Sequence, residues 1–429
     1  MAFAPRRAMG HEVVPWFLIA LAPPIFALAT WNFSDPMSVV QRWLKLSGAP
    51  VAAIEIVFIL WAARSGFAPL QQLRAAPRSV QAVLAILVAI AFGTAMFVAS
   101  DRPSAALRAV LLLLHILFGL SVAWQASRNS ASTLKQVWPA MVAGLFCYVL
   151  VLICYVAAIP DPLTFNWRSF HLAVSNVRQV GFYAAIGAAT ALGLAVSLQP
   201  TRSRLIYAAA ATIFFALAFW SGTRGVPIAV WAACLCGLIW FPRLRSIRTG
   251  AAVLTCTVIG ALLSLIHTVP DRHFGLARIQ GSAIHREADQ AASGRLRIWE
   301  ETWNAFLERP WFGHGQAQFR EMSRETLWAT YNHPHNVLLQ ALFDWGVMGA
   351  GCLMLLAWFL FGHCRRALNE PMDLQLPAFL VGSAMLIMAL YEGATFHTYT
   401  LMMIALSIAW VIGTGRRGAA RNGTRDSGQ

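Results

Sequence analysis

Charge is scarce in this 429-residue chain. Only 12% of its residues are charged, about half the share of an ordinary soluble domain. Lysine is almost missing: Lys45 and Lys135 are the only two, and the other thirty-one of thirty-three basic residues are arginine. So few charges exclude a disordered, solvated chain, and despite the net +15 they exclude a nucleic-acid binder built on surface charge. The seven cysteines form no framework. Their number is odd, all lie in or at the end of apolar runs, and Cys234 and Cys236 are spaced C-x-C rather than C-x-x-C. They read as small buried hydrophobes, which excludes a disulfide scaffold and a cysteine zinc site. No internal repeat and no separate soluble domain can be discerned.

What the chain has instead is apolar surface. The hydrophobic fraction is 58%, against roughly 45–50% in soluble domains, and the mean hydropathy is +0.59. A helix that spans a bilayer needs about 20 mainly apolar residues. Twelve runs qualify: 13–31, 49–63, 80–99, 105–124, 136–159, 180–198, 205–221, 225–241, 250–269, 337–362, 375–391 and 396–413. The fold expected is an all-α polytopic membrane protein, one integral domain over residues 1–429. Twelve crossings put both termini on one side. Arg and Lys in the loops of that side and the two termini number eighteen, against seven in the short loops opposite. The positive-inside rule then makes the termini cytoplasmic. The tail 414–429, rich in Gly and Arg, is expected to be disordered.

One connection is long. Residues 270–336, between the ninth and tenth spans, lie on the non-cytoplasmic side, and a loop of this size is uncommon unless it is functional. Inside it, 294–309 has helical periodicity. Ile298, Trp299, Thr302, Trp303, Phe306 and Leu307 form one stripe, Glu300, Glu301 and Glu308 lie elsewhere, and Pro310 ends the helix.

Several polar residues share the outer face. Arg224, in Trp-Ser-Gly-Thr-Arg-Gly between two apolar runs, is costly at an interface unless paired or hydrated. It reads as a phosphate clamp, because the planar fork grips phosphate oxygens bidentately, or as a snorkelling side chain in a tight turn. Arg178, and less so Arg168, share that position by topology. Arg295, with Arg297 beside it, is a third cationic contact or a partner of Glu300 or Glu301. The run Asn332-His333-Pro334-His335-Asn336 precedes the tenth span. Pro334 suits a first helical turn, which would put His335 at the helix N-terminus, a place that disfavours imidazolium. A neutral imidazole is a general base near pH 7; the alternative is a histidine that only caps the helix. A metal site at His333-x-His335 is the weaker reading, since no Cys or carboxylate stands at ligand spacing and no D-x-D pair occurs in the outer segments. Glu55 is the one acidic residue expected deep in a span.

Three motifs together resemble the O-antigen ligase branch of the O-antigen ligase/polymerase superfamily: S-G-T-R-G around Arg224, S-G-R-L-R-I-W-E-E-T-W-N-A-F-L-E-R-P-W-F-G-H-G over 293–315, and H-P-H-N-V-L-L-Q-A-L-F-D-W-G-V-M-G over 333–349. The resemblance implies a glycosyltransferase of lipopolysaccharide biosynthesis in the inner membrane of a Gram-negative bacterium. The donor it implies is O-antigen on undecaprenyl diphosphate, the acceptor a hydroxyl of lipid A–core, and the reacting face periplasmic. It maps the family's essential histidine onto His335 and its essential arginines onto Arg224 and Arg295. Arg178, Arg297, His333 and Asn336 join them as expected substrate contacts, Arg178 on topology alone. No cofactor and no metal are expected, and membrane lipids are the other partners. An O-antigen polymerase or a protein O-oligosaccharyltransferase would use the same chemistry. A transporter or flippase for a lipid-linked sugar is the distant alternative, disfavoured because repeats and mid-membrane charges are lacking.

Overall fold

A computed structural model of the chain describes residues 14–31, 48–167, 170, 172–174, 177–198, 201–271, 274–276, 294–327, 331–368 and 372–426, with backbone alone at 372–373 and 418–426. Among the described residues the secondary structure is entirely helical. The α-helices are α1 Val14–Ala29, α2 Ala49–Arg64, α3 Pro69–Arg74, α4 Arg78–Phe97, α5 Arg102–Arg128, α6 Ala131–Ala157, α7 Val180–Ser197, α8 Thr201–Trp220, α9 Gly225–Gly237, α10 Ile247–Leu263, α11 Arg295–Glu308, α12 Phe319–Thr326, α13 Val337–Ala367, α14 Met372–Ala389 and α15 Thr398–Asp426. Each predicted span coincides with one helix. Seven of them (α4, α5, α6, α7, α8, α13 and α15) are long and apolar enough to cross a membrane, and α1, α9, α10 and α14 are shorter apolar helices. This is the build of a polytopic membrane protein.

The bundle is organised around α7. Its sequence, rich in Ala and Gly, is buried almost all round, and α8, α9 and α14 pack on it. Small residues allow that approach. A Cβ at Gly187 would lie 2.6 Å from the Phe214 ring, and one at Gly193 would lie 2.6 Å from the Pro377 backbone. The outer helices do the reverse. Leu254, Val258 and Leu262 of α10 and Met354 and Trp358 of α13 are large, apolar and exposed. In water such a surface would drive association; hydrocarbon accepts it.

One break in a helix sets up the outer layer. The span expected to be continuous over 337–362 is kinked at Gly346, whose φ of 61° and ψ of −165° are non-helical. The segment after α11 enters the break. Val347 N–H donates to the Pro310 carbonyl at 2.8 Å and Met348 N–H to that of Trp311 at 3.2 Å, while His314 and Gly315 N–H groups donate to the carbonyls of Phe343 and Asp344 at 2.8 and 2.9 Å. Backbone groups freed at the kink are thus satisfied by the outer loop. Gly346 is required here, because its φ is positive and a Cβ would meet the Trp311 backbone at 2.3 Å. The two long motifs of the sequence are therefore bonded to each other.

Only part of the α11 stripe is buried: Ile298, Thr302 and Phe306 face inward, while Trp303 and Leu307 are exposed. The helix packs on one narrow line, formed with Phe319 and Phe343. Glu55 is not the one acidic residue deep in a span, since Asp344 is also buried, eight residues into α13. The helix α15 runs on to Asp426, into the 414–429 tail.

Candidate functional site

The turn before α13 carries both histidines of the motif. Asn336 is the N-cap of α13: its side-chain oxygen accepts from the N–H groups of Leu338 at 2.9 Å and Leu339 at 3.1 Å. The helix begins at Val337, so Pro334 and His335 precede it rather than forming its first turn. His335 has a φ of 58°, the left-handed region that a non-glycine residue occupies at a cost of roughly 1–2 kcal/mol. Two contacts hold the turn there. The His335 N–H donates to His333 Nδ1 at 3.2 Å, and Trp299 Nε1 of α11 donates to the Pro334 carbonyl at 2.9 Å.

Four other segments meet this turn. Arg295 opens α11, and its Nη2 lies 2.8 Å from Glu392 Oε2, with both side chains mostly buried. Tyr391, next to Glu392, donates its hydroxyl to the Gly225 carbonyl at 2.8 Å at the start of α9. Arg224 is the N-cap of α9. Just before it, Thr223 donates to the Arg178 carbonyl at 3.2 Å, which ties the α8–α9 turn to the start of α7. Arg178 interacts electrostatically with Glu392, Arg295, Arg224 and Tyr331. His335 in turn senses Arg295, Glu392 and Arg178, and the Glu392 backbone carbonyl is a hydrogen-bonding partner of its ring. Two arginines, Arg295 and Arg178, and one carboxylate are thus gathered around one imidazole, with Arg224 within electrostatic reach of Arg178.

That imidazole is held neutral, but not by a helix end. Burial is the main cause and the Arg295 charge the second; against the opposing pull of Glu392 they push the His335 pKa down to about 4. His333 is held well below its ordinary range, first by burial, with His335, His397 and Arg108 alongside adding to the effect. Its ring stacks on Phe396 at 4.6 Å and stands 4.2 Å from that of His335. Gly393 allows this. It has a φ of +71°, and a Cβ would lie 2.1 Å from His333 Cε1. Gly393→Ala is therefore expected to displace His333 and, through it, the His335 N–H. Any activity of this site should fall at least about tenfold while the bundle remains folded, as judged by elution volume and melting temperature.

Of the residues expected in the site, Arg178, Arg224, Arg295, His333 and His335 come together. Asn336 is beside them as a helix cap. Arg297 is exposed on α11, and Arg168 lies outside the described residues. Arg295 pairs with Glu392, not with Glu300 or Glu301. Glu392 was missed because, in Tyr-Glu-Gly after an apolar run, it looks like any interfacial acid; its partner is 97 positions away in sequence. Among the described residues no group of three or more His, Cys, Asp or Glu could hold a metal ion.

Residues 208–354 match the family model described as O-Antigen ligase. This match supports the O-antigen ligase/polymerase superfamily. No curated protein matches the chain. The matched stretch runs from α8 into α13 and carries Arg224, Arg295, His333, His335 and Asn336. Arg178 and Glu392 lie outside it, on α7's approach and on the α14–α15 turn, so the cluster is completed by the rest of the bundle.

Proposed function

We propose that the protein is an O-antigen ligase: it moves O-antigen from undecaprenyl diphosphate onto a hydroxyl of lipid A–core, at the periplasmic face of the inner membrane. The observation that carries this reading is the placement of Arg295 and Arg178 around His335, with Arg224 beside Arg178, largely inside a stretch matched to this family.

The chemistry follows from charge. A glycosyl diphosphate already has a good leaving group, so the enzyme has to orient the donor, neutralise the departing diphosphate and take a proton from the acceptor. Preorganised guanidinium forks serve the second need. In the step itself the acceptor oxygen bonds to the anomeric carbon as its proton passes to His335. The anomeric carbon–oxygen bond breaks with its electron pair going to undecaprenyl diphosphate, and the configuration inverts. The positive charge comes from arginine, so the reaction is proposed to be independent of metal. Arg297, at the exposed side of α11, and Asn336 and His333 are proposed as contacts to the glycan. Twelve crossings, cytoplasmic termini and a periplasmic 270–336 loop belong to the same proposal, supported by the arginine distribution.

The test is reconstitution in phospholipid vesicles with lipid-linked O-antigen and lipid A–core. The expected result is a glycosylated core, formed at the same rate with and without EDTA. Elongation of O-antigen with the core untouched would identify a polymerase instead. Loss of activity in EDTA, restored by a divalent cation, would overturn the metal-independent mechanism.

A further inference from the structure

His333, whose ring stands 4.2 Å from that of His335, separates two compartments. On one side are Arg178, Arg224, Arg295 and Glu392. On the other is a cavity of about 200 Å³ between α5, α13 and the turn after Gly393, lined by Arg108, Gln316, His333, Gln340, Asp344 and Trp345 among others. The cavity holds far more space than a single buried water needs. Its polar groups are incompletely used. The side-chain oxygens of Gln316 and Gln340 are buried and make no hydrogen bond among the described residues; nor does the indole N–H of Trp345, a residue 6% exposed. The orientation of Gln340 is set by its amide nitrogen, which donates to Asp344 at 2.8 Å and leaves its oxygen without a donor. Buried polar groups are rarely left unpaired, and those at a binding site are commonly satisfied by the ligand.

The unpaired set decides the class of ligand. It contains two acceptors and one donor, so the matching groups must both donate and accept, as sugar hydroxyls do. A phosphate oxygen only accepts and an ammonium only donates. We infer that this cavity, lined by Gln316, His333, Gln340, Asp344 and Trp345, is the acceptor site and takes the hydroxyl-bearing sugar at the end of the acceptor glycan. The inference rests on the transferase reading above. It adds a division of labour: diphosphate on the arginine side, acceptor hydroxyls on the amide side, and the histidine pair between them.

The experiment varies each substrate separately, with the full-length protein in vesicles and with lipid-linked O-antigen and lipid A–core as probes. Gln316→Leu and Gln340→Leu are each expected to raise the acceptor KM about tenfold and to leave the donor KM within about twofold. Gln316 lies outside the spans, so at least one of the two variants spares the membrane helices. Equilibrium binding of free core oligosaccharide to the detergent-purified protein, which needs no turnover, should weaken by the same factor. An unchanged acceptor KM and unchanged binding would mean a merely water-filled cavity and would overturn the inference while core transfer by the wild type upheld the ligase. A rise in donor KM instead would also overturn it. If the wild type elongates free O-antigen and ignores the core, the ligase reading fails by itself, and the same KM comparison with the O-antigen glycan as acceptor decides the inference.

Discussion

Replacing His335 by Asn is expected to lower transfer by about 10²- to 10⁴-fold, the usual contribution of a positioned general base. Asn is the variant of choice because the residue at 335 has a φ of 58°, and Asn tolerates the left-handed region better than most residues. The loss can then be assigned to chemistry if elution volume, melting temperature and donor binding match the wild type. Turnover within a few-fold of wild type would rule out the base role. The pH dependence gives a second check, with a defined sign. Protonation removes the base, so activity falls on the acid side of the pKa. That pKa is pushed down to about 4 by burial and by Arg295. The kcat/KM, which reports the free enzyme, should therefore stay within about twofold between pH 7.5 and 5.5. An acid limb centred near 6.5 would show that burial and Arg295 do not depress the titrating base.

Arg295→Ala is expected to cost about 10²- to 10³-fold, the scale for removing one preorganised charge contact to a transition state. Arg295→Lys should recover only part, since a point charge lacks the fork. The variant has a second consequence, because it takes from Glu392, mostly buried, the guanidinium 2.8 Å away and leaves Arg178 as its cationic neighbour. Breaking a buried pair is strongly unfavourable by itself. The double variant Arg295→Ala/Glu392→Gln separates the two effects. If Arg295 acts on the diphosphate, the double variant stays as slow as the single one. If Arg295 serves only to neutralise Glu392, the double variant recovers. Losing the Arg295 charge also removes one force that depresses the His335 pKa, so the acid limb should move toward neutral pH. Arg224→Ala should impair donor use without moving that limb, as Arg224 is not among the charges that shift His335.

The apolar helices were legible because hydrocarbon imposes one simple demand, a long apolar helix with its backbone bonded internally. Every predicted span meets a helix, and the amphipathic segment 294–309 meets α11 to within a residue. The site was legible in part. Arg224, Arg295 and His335 stood out because charge or imidazole beside an apolar run needs a reason. Local rules failed where packing competes with them. Pro334 fits a first helical turn, yet Asn336 offers the better cap, and the His333 and Trp299 contacts hold His335 outside the helix. The kink at Gly346 was likewise hidden, since a glycine within a span is ordinary until another segment satisfies the backbone it frees.

By itself, then, the sequence determined the class of environment, the helices and the chemical types available on one face, since hydropathy, period and side-chain charge are properties of local stretches. The tertiary structure alone decided which of those residues meet. Glu392, Asp344, Gln316 and Gln340 have no distinguishing pattern around them. Each acquires meaning from a partner, or from the lack of one, and burial in a packed bundle makes either condition energetically consequential.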